Sequence, residues 1–137
     1  MPIVQTMTTS FKVELPQAVH NLLTDSIKIA LYTASATLNA DTTIYTSSGE
    51  VVASGYIAGG VVLTGVTINS ADNSAYISFN NPSWAAALTA RGALIYNASK
   101  GDKSVAALDF GADKTSAITF TVQVPADTAT SAVLRIA

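Results

Sequence analysis

Residues 118–124 read Ile-Thr-Phe-Thr-Val-Gln-Val, with an apolar side chain at every second position and a polar one between. That is the period of a half-buried β-strand. The same period runs from Ile27, which puts Ile27, Ile29 and Leu31 on one side and Lys28, Ala30 and Tyr32 on the other. Shorter segments at 42–46, 50–53, 75–79, 92–97, 103–110 and 132–136, with a face made of Val62, Thr64, Val66 and Ile68, extend the set to about eight strands. One helix is predicted, opening at Pro16 and carrying Ala18, Val19, Leu22 and Leu23 on one face before ending near Thr24 and Asp25.

The punctuation between these segments is turn chemistry. Residues 47–49, 71–74, 98–102 and 111–115 have turn composition, with Gly101 placed for a left-handed conformation, and Asn80, Asn81 and Pro82 break the sheet. The glycine-rich stretch 54–60 lacks the Lys-Ser/Thr ending of a phosphate loop and opens onto no helix, so its glycines are read as a bend or bulge. Short strands about ten residues apart predict an all-β chain, a single-domain antiparallel β-sandwich of jelly-roll-like or immunoglobulin-like kind with one short N-terminal helix. Residues 1–15 form an N-terminal arm or extended segment and residues 16–137 the sandwich domain. A chain of 137 residues is long enough to bury such a core without disulfides.

Composition removes most chemistries. Apolar residues make up 49% and charged residues 12%, so Thr, Ser and Asn must carry much of the surface. A net charge of -2 and seven scattered Lys and Arg give no basic patch for nucleic acid or an anionic membrane. No apolar run has the length of a membrane span, the first ten residues lack the pattern of a secretory signal, and the chain is expected to be soluble. Without cysteine there is no thiolate nucleophile or Cys-bound metal, and His20 is the lone histidine. It is read as a partly exposed or capping residue of the helix. Glu14 and Glu50 are the two glutamates, and all aspartates but Asp109 fall in turn-like segments. No catalytic residue, cofactor or metal is expected. Arg91 and Asp109 fall at the open end of a predicted hairpin, where an ion pair between them would fix register. Trp84, Tyr76, Phe79, Tyr96 and Phe110 are assigned to the core and its rim rather than to a platform for sugars or bases.

Five runs then carry a resemblance. They are Ser-Ile-Lys-Ile-Ala-Leu-Tyr-Thr-Ala-Ser-Ala-Thr-Leu at 26–38, Thr-Ile-Tyr-Thr at 43–46, Gly-Tyr-Ile-Ala-Gly-Gly at 55–60, Thr-Ala-Arg-Gly-Ala-Leu-Ile-Tyr-Asn at 89–97 and Ala-Ala-Leu-Asp-Phe-Gly at 106–111. In that order the chain resembles a family of small structural proteins of tailed bacteriophages. The resemblance implies a virion component, assembled in the host cytoplasm, that binds the major capsid protein or other virion proteins and forms homo-oligomers. A capsid cement or decoration protein is the first expectation, a neck or tail-surface subunit the second, and a glycan- or receptor-binding module a distant third. Direct nucleic-acid or membrane contact is not expected. Met1, Pro2, Ile3, Val4 and Gln5 are the candidate partner contact, as an arm laid on a neighbour.

Overall fold

The two central strands, β2 (Ile27–Tyr32) and β7 (Thr89–Asn97), are largely apolar and buried, and pair antiparallel with Ile29 opposite Ile95 and Leu31 opposite Ala93. The computed structural model describes residues 3–71, 73–124 and 134–136. Around the central pair lie β1 (Thr6–Met7), β8 (Lys103–Thr115) and β3 (Val61–Val62), giving a five-stranded sheet in the order β1-β8-β7-β2-β3. A three-stranded sheet orders β10 (Leu134–Ile136), β5 (Ser74–Ser78) and β4 (Thr67–Ala71), and β6 (Ser83–Trp84) pairs with β9 (Phe120–Thr121). All strand pairs among the described residues are antiparallel, as an all-β sandwich requires.

The large sheet is buried on both faces. Ile27, Ile29, Leu31, Ala93 and Ile95 join one core with Ile77 and Leu134 of the three-stranded sheet, Phe79 just after it, and Trp84 and Phe120 of the two-stranded one. Ala30, Tyr32, Leu94, Tyr96 and Ala107 point the other way, into a second cluster with Ile3, Ala36 and Leu38. Irregular chain, not a further sheet, supplies that second cover. It explains why the expected strands at 42–46 and 50–53 reduce to single bridges, Ile44 to Lys103 and Glu50 to Tyr32. Their residues wrap over the sheet instead of extending it.

Three further expectations are corrected. The helix is α1 (Thr9–Glu14), not a segment starting at Pro16: the Thr8 hydroxyl caps it by accepting from the Phe11 N–H, and Pro16 follows the Leu15 cap. A proline has no N–H to continue the ladder and disfavours helix in the residue before it, so it marks the stop here. The turn expected at 111–115 is strand, since β8 runs on to Thr115 opposite Thr89. Four residues of β8, Phe110 to Asp113, nonetheless bulge against Arg91 alone, with Gly111 at φ +83°. In 118–124 the alternation survives as burial of Phe120 and Val122 between exposed Thr121 and Gln123, but Ile118 is exposed. The predicted hairpin at 71–74 forms, with Ala71 opposite Ser74 and Asn73 left-handed, while Asp72 lies outside the described residues. At 98–102 a 3-10 turn (Ala98–Lys100) leads into a left-handed Gly101, as its composition indicates.

Candidate functional site

Of the candidate contact residues of the N-terminus, Ile3, Val4 and Gln5 bond to their own domain. Met1 and Pro2 lie outside the described residues. Ile3 is only 1% exposed and forms a parallel bridge to Leu38, beside which the Val4 N–H donates to the Leu38 carbonyl at 2.8 Å. Gln5 accepts the Asp109 N–H at 3.1 Å through its side-chain oxygen. Gly92 makes room for this docking, because a Cβ there would stand 3.0 Å from two Ile3 carbons and 2.4 Å from the Leu108 carbonyl oxygen. Residues 3–7 are thus core and sheet edge, and a free arm over 1–15 does not describe them. The physical reason is the sheet's second apolar face, which needs Ile3 as cover.

Arg91 and Asp109 do meet, Nε to Oδ1 at 3.3 Å, across the bulge where Arg91 faces the extra residues of β8. The Gly111 N–H, donating to Asp109, lowers that carboxyl's pKa, and Arg91 adds to the effect. Both side chains are about one-fifth exposed, so the pair is a modest fastening of the bulge.

A buried polar chain was not legible beforehand. His20 sits outside any helix, its imidazole enclosed against the Phe11 ring with centroids 5.0 Å apart. Its Nδ1 accepts from the Asn97 amide at 3.0 Å, which leaves Nε2–H to donate to Glu14 at 2.7 Å. The second Asn97 amide hydrogen goes to Asp25 at 2.8 Å, and Lys100 closes the chain on the other Asp25 oxygen at 3.2 Å. Asn97 first, then the Asn21 N–H and Lys100, hold the Asp25 carboxyl below its usual range. The chain ties the segment after α1 to the end of β7. Both imidazole nitrogens are engaged in it.

A second network surrounds Glu50. The turn at 47–50, closed by the Glu50 N–H on the Ser47 carbonyl at 3.2 Å, drops this carboxylate beside the end of β2, where it is 7% exposed. One oxygen accepts the Tyr45 hydroxyl at 2.5 Å; the other accepts the Tyr56 hydroxyl at 2.6 Å and the Gly59 N–H at 2.8 Å. The Tyr56 oxygen in turn accepts the Leu31 N–H at 2.9 Å, and the Tyr96 hydroxyl donates to the Gly59 carbonyl at 2.6 Å. The Tyr32 hydroxyl donates to the Thr46 carbonyl at 2.6 Å. Burial, reinforced by the Glu50 charge, pushes the hydroxyls of Tyr32, Tyr45 and Tyr56 well above the ordinary phenol range. Burial, with Asp102 and then Glu50, pushes Tyr96 up to about 12. These phenols stay protonated as donors. Together they bind the strap formed by residues 45–60 to the sheet, and Gly60 lets it re-enter: at φ +79° its backbone runs so close to β2 that a Cβ would overlap the Ile29 carbonyl oxygen.

The outer side of this strap exposes two large apolar side chains among small residues and the serines at 47, 48 and 54. Val52 is 96% and Ile57 77% exposed, on either side of buried Tyr56 and its bond to Glu50. Phe79, Trp84 and Tyr96, proposed above as core, are buried. Among the described residues no group of three or more His, Cys, Asp or Glu has metal-binding proximity, and no helix is long and apolar enough to cross a membrane. Comparison with protein-family models, with curated proteins and with solved structures finds no match.

Proposed function

We propose that this chain is a structural protein of a bacteriophage virion, in the first place a capsid cement or decoration protein bound between major capsid subunits by non-covalent contacts. The observation that carries the reading is the pinned strap. Its Glu50 carboxylate and the Tyr45 and Tyr56 hydroxyls are tied together beneath it, while Val52 and Ile57 are held out to solvent on a backbone to which Glu50 is bonded at Gly59. Large apolar side chains presented on ordered backbone favour adhesion, because little side-chain or loop freedom is lost when a partner covers them. The ordered phage-like runs described above point to a particle as the setting, where many equivalent copies make modest contacts sufficient. Burial of Trp84, Phe79 and Tyr96 counts against a glycan platform.

The test is incorporation. Val52→Asp with Ile57→Asp is expected to leave thermal unfolding nearly unchanged and to deplete the protein from purified particles at least tenfold. Quantitative mass spectrometry of wild-type particles then separates the locations: on the order of hundreds of copies place it on the shell, on the order of ten at the neck or tail. Absence from purified particles would sink the proposal.

A further inference from the structure

Residues 15–25, between α1 and β2, are held to the rest of the domain by few bonds. Among the described residues every main-chain hydrogen bond they make stays local, running to a carbonyl between Phe11 and Asn21. Within the segment only His20 and Leu22 are buried, and Ala18 sits at φ +58°, a left-handed conformation that is costly for a residue with a Cβ. A cavity of about 290 Å³ lies between the segment and Ile68, Ile77 and Ile136 of the three-stranded sheet. The polar ties that reach beyond the segment and α1 are those of Asn97 to His20 and Asp25, and of Lys100 to Asp25.

The tie between Asn97 and His20 works in one protonation state. The Asn97 amide cannot turn over, because its oxygen accepts the Ser99 N–H at 3.0 Å and its nitrogen donates to the Asp25 carboxylate at 2.8 Å. It therefore offers His20 an N–H, which Nδ1 accepts only while it carries no proton. On the other side of the ring the Glu14 carboxylate, at 2.7 Å, attracts an imidazolium more strongly than a neutral imidazole.

A proton on Nδ1 thus acts twice in the same direction. It sets donor against donor at Asn97, and it strengthens the bond to Glu14, which stands at the end of α1 where the segment begins. The other charges near the ring are Asp25 and Lys100, beyond Asn97 and paired with each other; its remaining surroundings are the Phe11 ring and the cavity, whose lining holds no charged side chain besides His20 itself. We propose that His20 is an acid-operated latch: neutral, it fastens residues 15–25 to the end of β7, and protonated, it goes over to Glu14 and lets the segment lift away from the sheet. The cavity beside the ring gives it room to turn. This device does not rest on the virion reading.

NMR of the whole chain, labelled with nitrogen-15 and titrated between about pH 8 and about pH 5, tests it. At the upper end the ring is expected to carry its proton on Nε2 alone. As His20 takes up a second proton, the Asn97 side-chain amide signals are expected to shift and the exchange protection of the Asn21, Thr24 and Asp25 amides to fall at least tenfold, while protection in β2 and β7 holds. His20→Gln, which takes up no proton in this range, is expected to abolish the response. Glu14→Gln removes the imidazolium's partner and is expected to move the response to lower pH; it serves if the first variant fails to fold. A proton on Nδ1 at about pH 8 overturns the proposal, as does a His20 that stays uncharged down to about pH 5. So does a titration that leaves Asn97 and these amides unmoved, or a response that survives His20→Gln or is indifferent to Glu14→Gln.

Discussion

Replacing Glu50 by Ala tests whether the strap is fastened as its geometry indicates. The substitution withdraws the acceptor for the Tyr45 and Tyr56 hydroxyls and the Gly59 N–H. Tyr45 is partly exposed and recovers a water partner, but Tyr56 and Gly59 are buried. Two buried donors left without acceptors cost about 1–3 kcal/mol each, so the expected loss is about 2–6 kcal/mol after the relief from removing a buried charge is set against the lost Tyr45 bond. That is a large share of the 5–15 kcal/mol typical of a whole domain. Glu50→Gln keeps one acceptor oxygen and is expected to fall near half that loss. Urea unfolding provides the assay, read as a lower midpoint at similar slope, and amide exchange at Gly59 should quicken in step. Tyr56→Phe supplies the cross-check: it removes both a donor to Glu50 and the acceptor of the Leu31 N–H, so its effect and that of Glu50→Ala must be strongly non-additive. An alanine variant within about 1 kcal/mol of wild type, or strict additivity with Tyr56→Phe, refutes the reasoning.

Ile3→Ala is expected to destabilise the fold by about 2–5 kcal/mol, as a fully buried aliphatic truncated against Gly92 and Leu38 should, measured by thermal or urea unfolding. Unfolding that stays at the wild-type midpoint while particle incorporation falls would instead return this segment to the role of an arm. Acid sensitivity follows from Asp25 and Asp109, whose folded pKa values lie below their unfolded ones. Their stabilisation is fully present above the ordinary carboxylate pKa of about 4 and is lost as pH falls through the lowered values. Asp25→Asn should therefore flatten the decline of stability below about pH 4, and an unchanged acid limb in stability against pH argues against the Asn97 and Lys100 bonds as its source.

What could be read beforehand is what depends on neighbours in sequence. The alternation in β2, the left-handed Gly101 after its 3-10 turn and the hairpin between β4 and β5 are local, and each lies where its residues indicate. The Arg91 to Asp109 contact was legible for the same reason, since a hairpin makes distant numbers into near neighbours. The helix start was misplaced because Pro16 suits the first turn of a helix and also its aftermath; the cap at Thr8 decides between them. Neither buried network had a local signature. Glu50 draws on Tyr45, Tyr56 and Gly59, and His20 reaches Asn97 across 77 positions. A hint was present in Glu50 itself, a lone acid leading into Val51 and Val52, which an unpaired carboxylate would not tolerate once buried.

The same two networks account for an otherwise odd division of labour in the chain. A sheet buried on both faces by one antiparallel layer and one irregular layer has no ladder to hold the irregular side in place, and apolar cover alone is non-directional. Fixed direction comes from the groups that are costly to leave unpaired: Glu50 under the strap, and the chain from Glu14 through His20 and Asn97 to Lys100 behind α1. Rigidity obtained in this way is what lets Val52 and Ile57 remain exposed without collapsing onto the domain. A loose strap would be free to fold these apolar residues inward. Under the proposed adhesive role, the internal fastening and the outer surface are linked, and weakening Glu50 is expected to cost adhesion as well as stability.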